Sequence, residues 1–576
     1  MMSLELLANE LLLEIFGYLP SVHVLQAFYR LNTRFDQLIH VHFQTSRFDF
    51  RAATRRDFYN VCLTYFPYIK DHLVSLGLSD DDETPNQIEL FRSNGWTLDR
   101  FPHLRSLSFD HLRSSEIIGD ILVECPQLVR LSLTGCYFAC TQKEILHFMN
   151  IVWRLPKLIY CYLNMDFKHG SQILSPTIFS ATIEHLTIIG VSYPAGQVIN
   201  LCEHTPRLRY LALDLSCPTA NIEFHTTIPL ITEVNFIVIG AQHAFIENLL
   251  RCMPNLCQLK IETCYVDMNG YEWEQLIRKY LPKLKHLQLK MRSHVMNEKY
   301  RKELFNSFQT PFWVKEHQWF IRYHYNQDHN ANMVCVYTLP YNFSTLDIHF
   351  PVVYKSTCLN EKDHLSYEYV RNLSYHSSAV NEMTGGSDFE FPNINNLSVN
   401  LPINDHLLSL VRKLDQLYSL KITRPSNMSD EEARNQLQTL LDHTPHLYYL
   451  KFHSWSQTTQ QRWIRIVNQS IRKLNLLGYN HWFTEQDCVE LSQSLLGTNC
   501  EVLYIKVEKR NDICYLIETM RRLRALIVRS KDDDGSNLWT TDNLQLDLWL
   551  RQYLPPRCSI KRDSRYVHHV RIWIDL

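Results

Sequence analysis

The sequence predicts an α/β protein in which a short helical domain precedes a long solenoid of strand–helix repeats. Three observations carry this prediction. An apolar series with helical spacing opens the chain, a patterned apolar segment returns about every 26 residues, and amphipathic helical patterns lie between those segments. With 576 residues and 45% hydrophobic content, the chain can bury a large core.

The first predicted helix spans residues 7–19. Asn9 is expected to cap it, and Pro20 is expected to follow its end. Two further short helices, separated near Asn32, should follow before residue 46. Apolar side chains recur at three- and four-residue steps along the first helix and therefore share one face: Leu11, Leu12, Ile15, Phe16 and Leu19.

Residues 3–46 resemble an F-box, a motif that docks on a Skp-type adaptor and through it joins a cullin–RING ubiquitin ligase. Ala8 stands where the family has Pro, which removes a fixed backbone torsion before the helix. The alternative is that these helices are only an N-terminal cap of the fold that follows. The resemblance implies that six residues contact the adaptor: Leu7, Leu11, Leu12, Ile15, Phe16 and Leu19.

The repeated segment has the pattern L-x-x-L-x-L, in which the last two apolar residues alternate as one face of a short strand requires. Its period and motif resemble the leucine-rich repeat, which implies a parallel β-sheet on a concave side and helices outside. The first apolar positions form two runs: Leu104, Leu128, Leu158, Ile183, Leu208, Ile231, Leu256 and Leu284, then Phe343, Val370, Ile394, Leu417, Leu447, Ile471, Val502 and Leu523.

These patterns divide the chain into six segments. Alternating aromatic stretches without a repeat start suggest extra strands in one of them, and a terminal hairpin should cap the last repeat. The segments are 1–47, an F-box-like helical domain; 48–100, a helical connector and N-terminal cap of the solenoid; 101–291, the first half of the repeats; 292–338, an insertion with extra strands; 339–530, the second half; and 531–576, a C-terminal helix and hairpin cap.

Composition and motifs argue against several classes of function. A net charge of −2 and a pI near 7.0 give no general attraction to nucleic acid or membrane. The chain has no secretory leader pattern and no apolar run of 18 residues, so we expect a soluble protein of the cytoplasm and/or nucleus. It has no catalytic motif and no C-x-x-C, so we expect no enzymatic activity, no metal and no cofactor. The acidic runs 80–83 and 532–534 are expected to be solvated loops.

Function is therefore expected on outward strand positions of the concave side. Residues such as Ser106, Ser108, Arg130 and Ser132 face outward there, while leucines such as Leu259 face the core. Lys260→Ala is accordingly expected to leave stability nearly unchanged. The candidate contacts to an unknown protein target are Tyr160, Tyr162, Tyr210, Lys260, His286, Tyr449 and His453.

The leading hypothesis is a substrate-recognition subunit of an SCF-type (Skp–cullin–F-box) E3 ubiquitin ligase, itself without catalytic residues. The competing hypothesis is a leucine-rich-repeat scaffold for protein–protein interaction outside any ligase, and Ala8 in place of Pro favours it. A nucleic-acid-binding solenoid is disfavoured by the near-neutral charge.

Overall fold

The structure, a computed structural model, describes residues 4–51, 53–168, 173–216, 224, 226–266, 268–294, 298–326, 333–350, 352–358, 365–377, 389–404, 407–408, 416–455, 466–533 and 546–575. Two units emerge: unit 1 is Met1–Ser216 with Leu550–Leu576, and unit 2 is Cys217–Trp549. The predicted mixture of long parallel sheets and many helices is confirmed.

The chain begins with three packed helices, α1 (Asn9–Tyr18), α2 (Ser21–Phe28) and α3 (Thr33–Thr45), after a short turn of helix at Leu4–Leu6. Asn32 caps α3 by accepting a hydrogen bond from the Phe35 amide at 3.1 Å. Asn9 does not cap α1: it is the first helical residue, and Ala8 holds the cap position without a side-chain hydrogen bond.

Seven parallel strands follow among the described residues of unit 1, each paired with the next one along the chain. They are β1 (Phe48–Asp49), β2 (Ser75–Ser79), β3 (Ser106–Asp110), β4 (Arg130–Phe138), β5 (Tyr160–Phe167), β6 (His185–Pro194) and β7 (Tyr210–Ser216). Helices or short helical turns lie between them at Arg55–Asn60, Val61–Tyr65, Phe66–Ile69, Lys70–His72, Gln87–Ser93, Leu98–Arg100, Ser115–Val123, Gln142–Trp153, Ala195–Gln197 and Val198–Glu203.

Segment 48–100 therefore differs from the predicted helical connector, because it contains β1 and β2. Leu73, Leu76 and Leu78 follow the repeated apolar pattern and are all buried. β2 pairs in parallel with β3 from Ser75 opposite Ser106, so the repeating sheet begins earlier than the sequence analysis placed it.

Unit 2 opens with three parallel strands and continues through an antiparallel insertion. The strands β8 (Glu233–Ile239), β9 (Gln258–Cys264) and β10 (His286–His294) alternate with helices His243–Arg251 and Gly270–Tyr280. The predicted extra strands are β11 (Ile321–Asn326) and β12 (Met333–Thr338), which pair antiparallel; β12 also pairs with β10. Helix Glu298–Ser307 and the turn Phe312–Glu316 precede them.

A second parallel sheet fills the rest of unit 2. Its strands are β13 (Thr345–Phe350), β15 (Asn372–Ser377), β16 (Asn396–Asn400), β17 (Ser419–Thr423), β18 (Tyr449–His453), β19 (Lys473–Asn475), β20 (Val502–Val507) and β21 (Ala525–Ser530). β14 (Val352–Ser356) pairs with β11 instead. The helices and turns are Asp430–Asp442, Glu485–Gln493, Leu495–Asn499, Arg510–Thr519 and Lys531–Asp533, and helix Leu546–Tyr553 leads out of unit 2.

The sixteen predicted repeat starts are all buried, none more than 5% exposed. Fifteen of them lie two residues before the first residue of a strand. Val502 is the exception, because it is itself the first residue of β20 and pairs with Lys473. Cys500, fully buried, holds the start position in that repeat.

The C-terminal hairpin, β22 (Cys558–Arg562) and β23 (Val570–Ile574), packs against the N-terminal part of unit 1. The fully buried Arg571 donates from Nη2 to the Asp81 carbonyl at 2.8 Å, and its Nε lies 3.4 Å from Asp82 Oδ1. Arg113 Nη2 lies 3.0 Å from the same Asp82 atom. The prediction of a solvated loop at 80–83 is thus wrong: Asp80 and Glu83 are buried, and arginines distant in sequence compensate the run. Asp534 lies outside the described residues.

Candidate functional site

The first candidate surface lies on α1, and it corrects two of the predicted adaptor contacts. Leu12 and Phe16 are fully buried, and the Phe16 ring lies 4.9 Å from that of Phe28. These two side chains form the core of the three helices and can contact a partner only if that core opens. Their role is to support the outer face of α1.

The outer face of α1 leaves large apolar side chains in solvent. Leu11 and Leu19 are 48% and 37% exposed, and Ile15 is half-buried. Tyr18 and Leu6, which the sequence analysis did not single out, are 81% and 74% exposed. Positions 11, 15 and 18 share a helix face at four- and three-residue spacing. Together with Leu6 in the turn before α1 and Leu19 at its C-cap, these three residues are called the α1 face.

Arg34 of α3 holds the segment before α1 in place. Its guanidinium donates to the carbonyl oxygens of Glu5 and Leu7, both at 2.5 Å, and to Asn9 Oδ1 at 2.9 Å. Leu7, a predicted adaptor contact, is half-buried, and its carbonyl is one of these acceptors. The backbone that presents Leu6 and Leu11 is therefore fixed by charge-assisted hydrogen bonds.

The second candidate surface lies on the sheet of unit 1, where the strand register aligns four side chains side by side. Arg130, Tyr160, His185 and Tyr210 are each the first residue of a strand and pair directly across β4 to β7. The Arg130 guanidinium lies 4.1 Å above the Tyr160 ring, Tyr160 stacks on His185 at 4.6 Å, and His185 lies 6.1 Å from Tyr210. We call these four residues the aromatic row.

A second line of side chains runs beside the aromatic row, two residues further along β4 to β6, and it continues to β3. It contains hydroxyl groups and the predicted contact Tyr162: Ser108, Ser132, Tyr162 and Thr187. With the aromatic row they line a shallow depression of about 420 Å³. The structure thus brings together three of the predicted target contacts, Tyr160, Tyr162 and Tyr210, and adds His185.

Arg47 closes one side of this depression and was not predicted to belong to it. Its Nη1 donates to Ser108 Oγ at 2.9 Å, and its guanidinium also pairs with Asp49. The approach depends on Gly77 of β2, where a Cβ atom would lie 3.1 Å from Arg47 Nε and 3.3 Å from Ser108 Oγ. His185 could have been found from its two-residue offset after Ile183, whereas Arg47 gives no local signal.

Lys260, in unit 2, is not the free outward residue that was predicted. Its ammonium donates to the carbonyl of Asn342 at 2.8 Å and lies 4.8 Å above the Phe343 ring. Burial lowers the pKa of Lys260, and the nearby positive Lys290 adds to this effect, while Glu262 opposes it. Lys260 therefore fastens the chain that enters the second parallel sheet, 82 residues later.

We expect Lys260→Ala to lower the free energy of unfolding by about 1–3 kcal/mol, since it removes a cation–π contact and leaves the Asn342 carbonyl without its donor. Gln258→Ala is the matched control, because Gln258 is exposed on the same strand; it should change that free energy by less than about 0.5 kcal/mol. Urea unfolding of both variants makes the comparison. Equal urea midpoints of the two variants would show that Lys260 is a free outward residue, as the sequence predicted.

The other three predicted contacts lie on two sheets of unit 2. Tyr449 and His453 are the first and last residues of β18 and share one face of it, and His453 is exposed. Tyr449 is partly covered: Asn475 Nδ2 donates to its hydroxyl at 3.2 Å, and Lys473 Nζ lies 5.0 Å from its ring centre. His286 is exposed at the start of β10, which belongs to the other sheet and pairs with the strand of Lys260.

Unit 2 also has a smaller pocket of about 200 Å³ that the sequence did not suggest. Lys290, Arg292, His324 and Asp347 are among its lining residues. Burial lowers the pKa of His324 to about 4. Glu262 lies 3.1 Å from both Lys290 and Arg292, so carboxylates balance the cations here.

The described part of the chain holds no group of three or more His, Cys, Asp or Glu side chains arranged to bind a metal ion. No helix within it has the length and apolarity needed to cross a membrane. Burial raises the pKa of Cys136 and Cys500 to about 12, so these thiols stay protonated and pack as small hydrophobes.

Comparison with known proteins gives little further guidance. No protein-family model matches the chain. No curated protein sequence matches it significantly. Among solved structures, an LRR protein of Leptospira interrogans matches with 12% sequence identity and a TM-score of 0.20, over 81% of this chain and 98% of that one.

Proposed function

We propose that this protein is the substrate-recognition subunit of an SCF-type E3 ubiquitin ligase, with a Skp-type adaptor on the α1 face and a protein target on the repeat strands. The observation that carries the proposal is the exposure of Leu11 and Tyr18 on α1, of Leu19 at its C-cap and of Leu6 in the turn before it. Several large apolar side chains left in solvent along one short segment mark an interaction surface. The F-box-like order of the apolar residues points to the adaptor as the partner.

The way the helices are joined to the strands supports the same function. Phe43 of α3 packs on Phe48 of β1 at 5.0 Å, and Phe48 packs in turn on Phe50 and Phe66. This aromatic cluster fixes the α1 face relative to β1 and β2 within unit 1. A receptor without catalytic groups accelerates ubiquitin transfer only by holding its target near the charged conjugating enzyme, and a rigid connection serves that purpose.

The alternative, a repeat scaffold outside any ligase, has its own supporting observation. Phe43 of α3 packs on β1, and Ser21 of α2 accepts a hydrogen bond from the Asp49 amide at 3.2 Å, so both helices already cover the start of the sheet, as a plain cap would. A cap does not require exposed apolar residues on α1, and for that reason we favour the ligase subunit. Such a subunit would act in the cytoplasm and/or nucleus.

Affinity purification from cells distinguishes the two functions. The baits are the wild-type chain and a Leu7→Asp/Ile15→Asp variant, and the co-purified proteins are identified by mass spectrometry. Adaptor and cullin should accompany the wild-type chain and be missing from the variant. Their absence from both samples would reject the ligase function and leave the scaffold.

Ala8 offers a gain-of-stability prediction. Its φ of −62° and ψ of 153° already match the torsions that Pro adopts. Ala8→Pro should therefore raise the free energy of unfolding by about 0.4–1 kcal/mol and tighten adaptor binding modestly, because fewer unfolded conformations compete. Thermal melts and adaptor titration of the variant check this. Weaker adaptor binding would show that this segment does not follow the course of an F-box.

A further inference from the structure

We propose that the depression around the aromatic row of unit 1 binds an acidic segment of a protein, with an oxyanion held between Arg130 and the hydroxyl groups beside it. This deepens the proposed function, on which it rests only for its biological purpose, because it names the class of target. Arg47 and Arg130 line the depression with several hydroxyl groups, and none of the described lining residues is acidic.

Arg130 is placed to bind an oxyanion. No described lining residue of the depression offers it a carboxylate. Its guanidinium stacks on the Tyr160 ring at 4.1 Å, which fixes the plane of the cation and leaves N–H groups at its edge. A guanidinium presents several donors in one plane and pairs with both oxygens of a carboxylate or phosphate. The exposed position of Arg130 lets a ligand reach it directly.

Arg130 supplies the positive charge of the depression, because the charge near Arg47 is balanced. Asp49 pairs with Arg47 and, at 2.6 Å, with Arg51. The buried Asp110 lies 3.6 Å from Arg51, so two carboxylates accompany two guanidinium groups there. In the smaller pocket of unit 2, Asp347 is itself a lining residue and Glu262 pairs with both cations, which is why we place the oxyanion in unit 1.

The arrangement of the rings favours a protein segment over single-stranded nucleic acid. Nucleic-acid bases bind by stacking on exposed ring faces. The two faces of Tyr160 are already covered by Arg130 and His185, which reach it from the neighbouring strands β4 and β6. At Tyr160 a ligand can therefore reach the ring edge and the hydroxyl group but not the ring faces. Four neighbouring strands span about 14 Å, enough to contact several residues of an extended chain.

Binding of fluorescent oligomers to the full-length protein tests the proposal directly. The probes are hexaglutamate, hexaglutamine, a peptide of alternating serine and phosphoserine, and a twelve-nucleotide oligouridine, measured by fluorescence anisotropy at low and moderate salt. We expect hexaglutamate to bind at least about tenfold more tightly than hexaglutamine. Tighter binding of the phosphoserine peptide than of hexaglutamate would assign the oxyanion to phosphate, and the reverse order to carboxylate.

Variants locate the binding. Arg130→Ala should weaken hexaglutamate binding by about tenfold or more, whereas Arg154→Ala removes the same charge from an exposed helix end in unit 1 and should have little effect. Equal binding of hexaglutamate and hexaglutamine, equal loss in the two variants, or preferential binding of oligouridine would each overturn the proposal. Arg130→Ala should still bind the adaptor, so this test fails or succeeds independently of the proposed ligase function.

Discussion

Trp573→Ala is expected to lower the free energy of unfolding by about 3–5 kcal/mol, the cost of emptying a large buried site. The Trp573 side chain is fully buried on β23, and its ring lies 5.7 Å from that of Phe58. Because the hairpin and the N-terminal segment belong to one unit, the cavity should loosen both ends of the chain together.

Val567→Ala is the matched control for this loss. Val567 lies in the turn of the same hairpin and is 52% exposed, so its removal should change stability by less than about 0.5 kcal/mol. Urea unfolding followed by tryptophan fluorescence and circular dichroism measures both variants. If the two variants unfold at the same urea concentration, the hairpin does not hold the N-terminal segment.

The double substitution Ile15→Asp/Leu19→Asp is expected to abolish adaptor binding while the chain stays folded. Burying an unpaired carboxylate in an apolar contact costs on the order of several kcal/mol, which corresponds to a loss of 100-fold or more in affinity. Leu19 is exposed and Ile15 half-buried in the free chain, so the folded state tolerates both charges far better than an interface would.

Leu63→Asp is the control that separates loss of the adaptor contact from a general effect of placing a carboxylate on the surface. Leu63 is 66% exposed and lies outside α1, in the turn Val61–Tyr65. The Leu63→Asp variant should bind the adaptor as tightly as the wild-type chain does in a calorimetric titration. Full adaptor binding by the Ile15/Leu19 variant would contradict the role given to the α1 face.

Local patterns predicted the parallel sheets well because alternating apolar residues mark each strand in the sequence. The same patterns placed the strand register wrongly at Val502, where the predicted repeat start is two residues late. Side chains in a strand repeat their direction every two residues, so Cys500 and Val502 satisfy the same pattern, and only pairing with Lys473 fixes the register. β2 was missed although Leu73, Leu76 and Leu78 carry the pattern, and the sequence alone could have supplied it.

Contacts between distant parts of the chain explain the other differences. Lys260 has the spacing of an outward residue, and only the Asn342 carbonyl shows that it is tied down. The acidic run 80–83 has the sequence of a solvated loop, and its pairing with Arg571, nearly five hundred residues later, is visible only in the structure. At the candidate site, strand offsets predicted the three tyrosines, whereas Arg47 joins from the helical domain by tertiary packing alone.

Docking of the adaptor on the α1 face is tested most directly by amide hydrogen exchange of the full-length protein with and without purified Skp-type adaptor. Exchange reports local opening segment by segment, so a bound partner slows it where it covers the backbone. We predict slower exchange in residues 4–19 and unchanged exchange in β5 to β7, which the adaptor does not touch. Unchanged exchange in residues 4–19 at saturating adaptor would contradict docking on the α1 face.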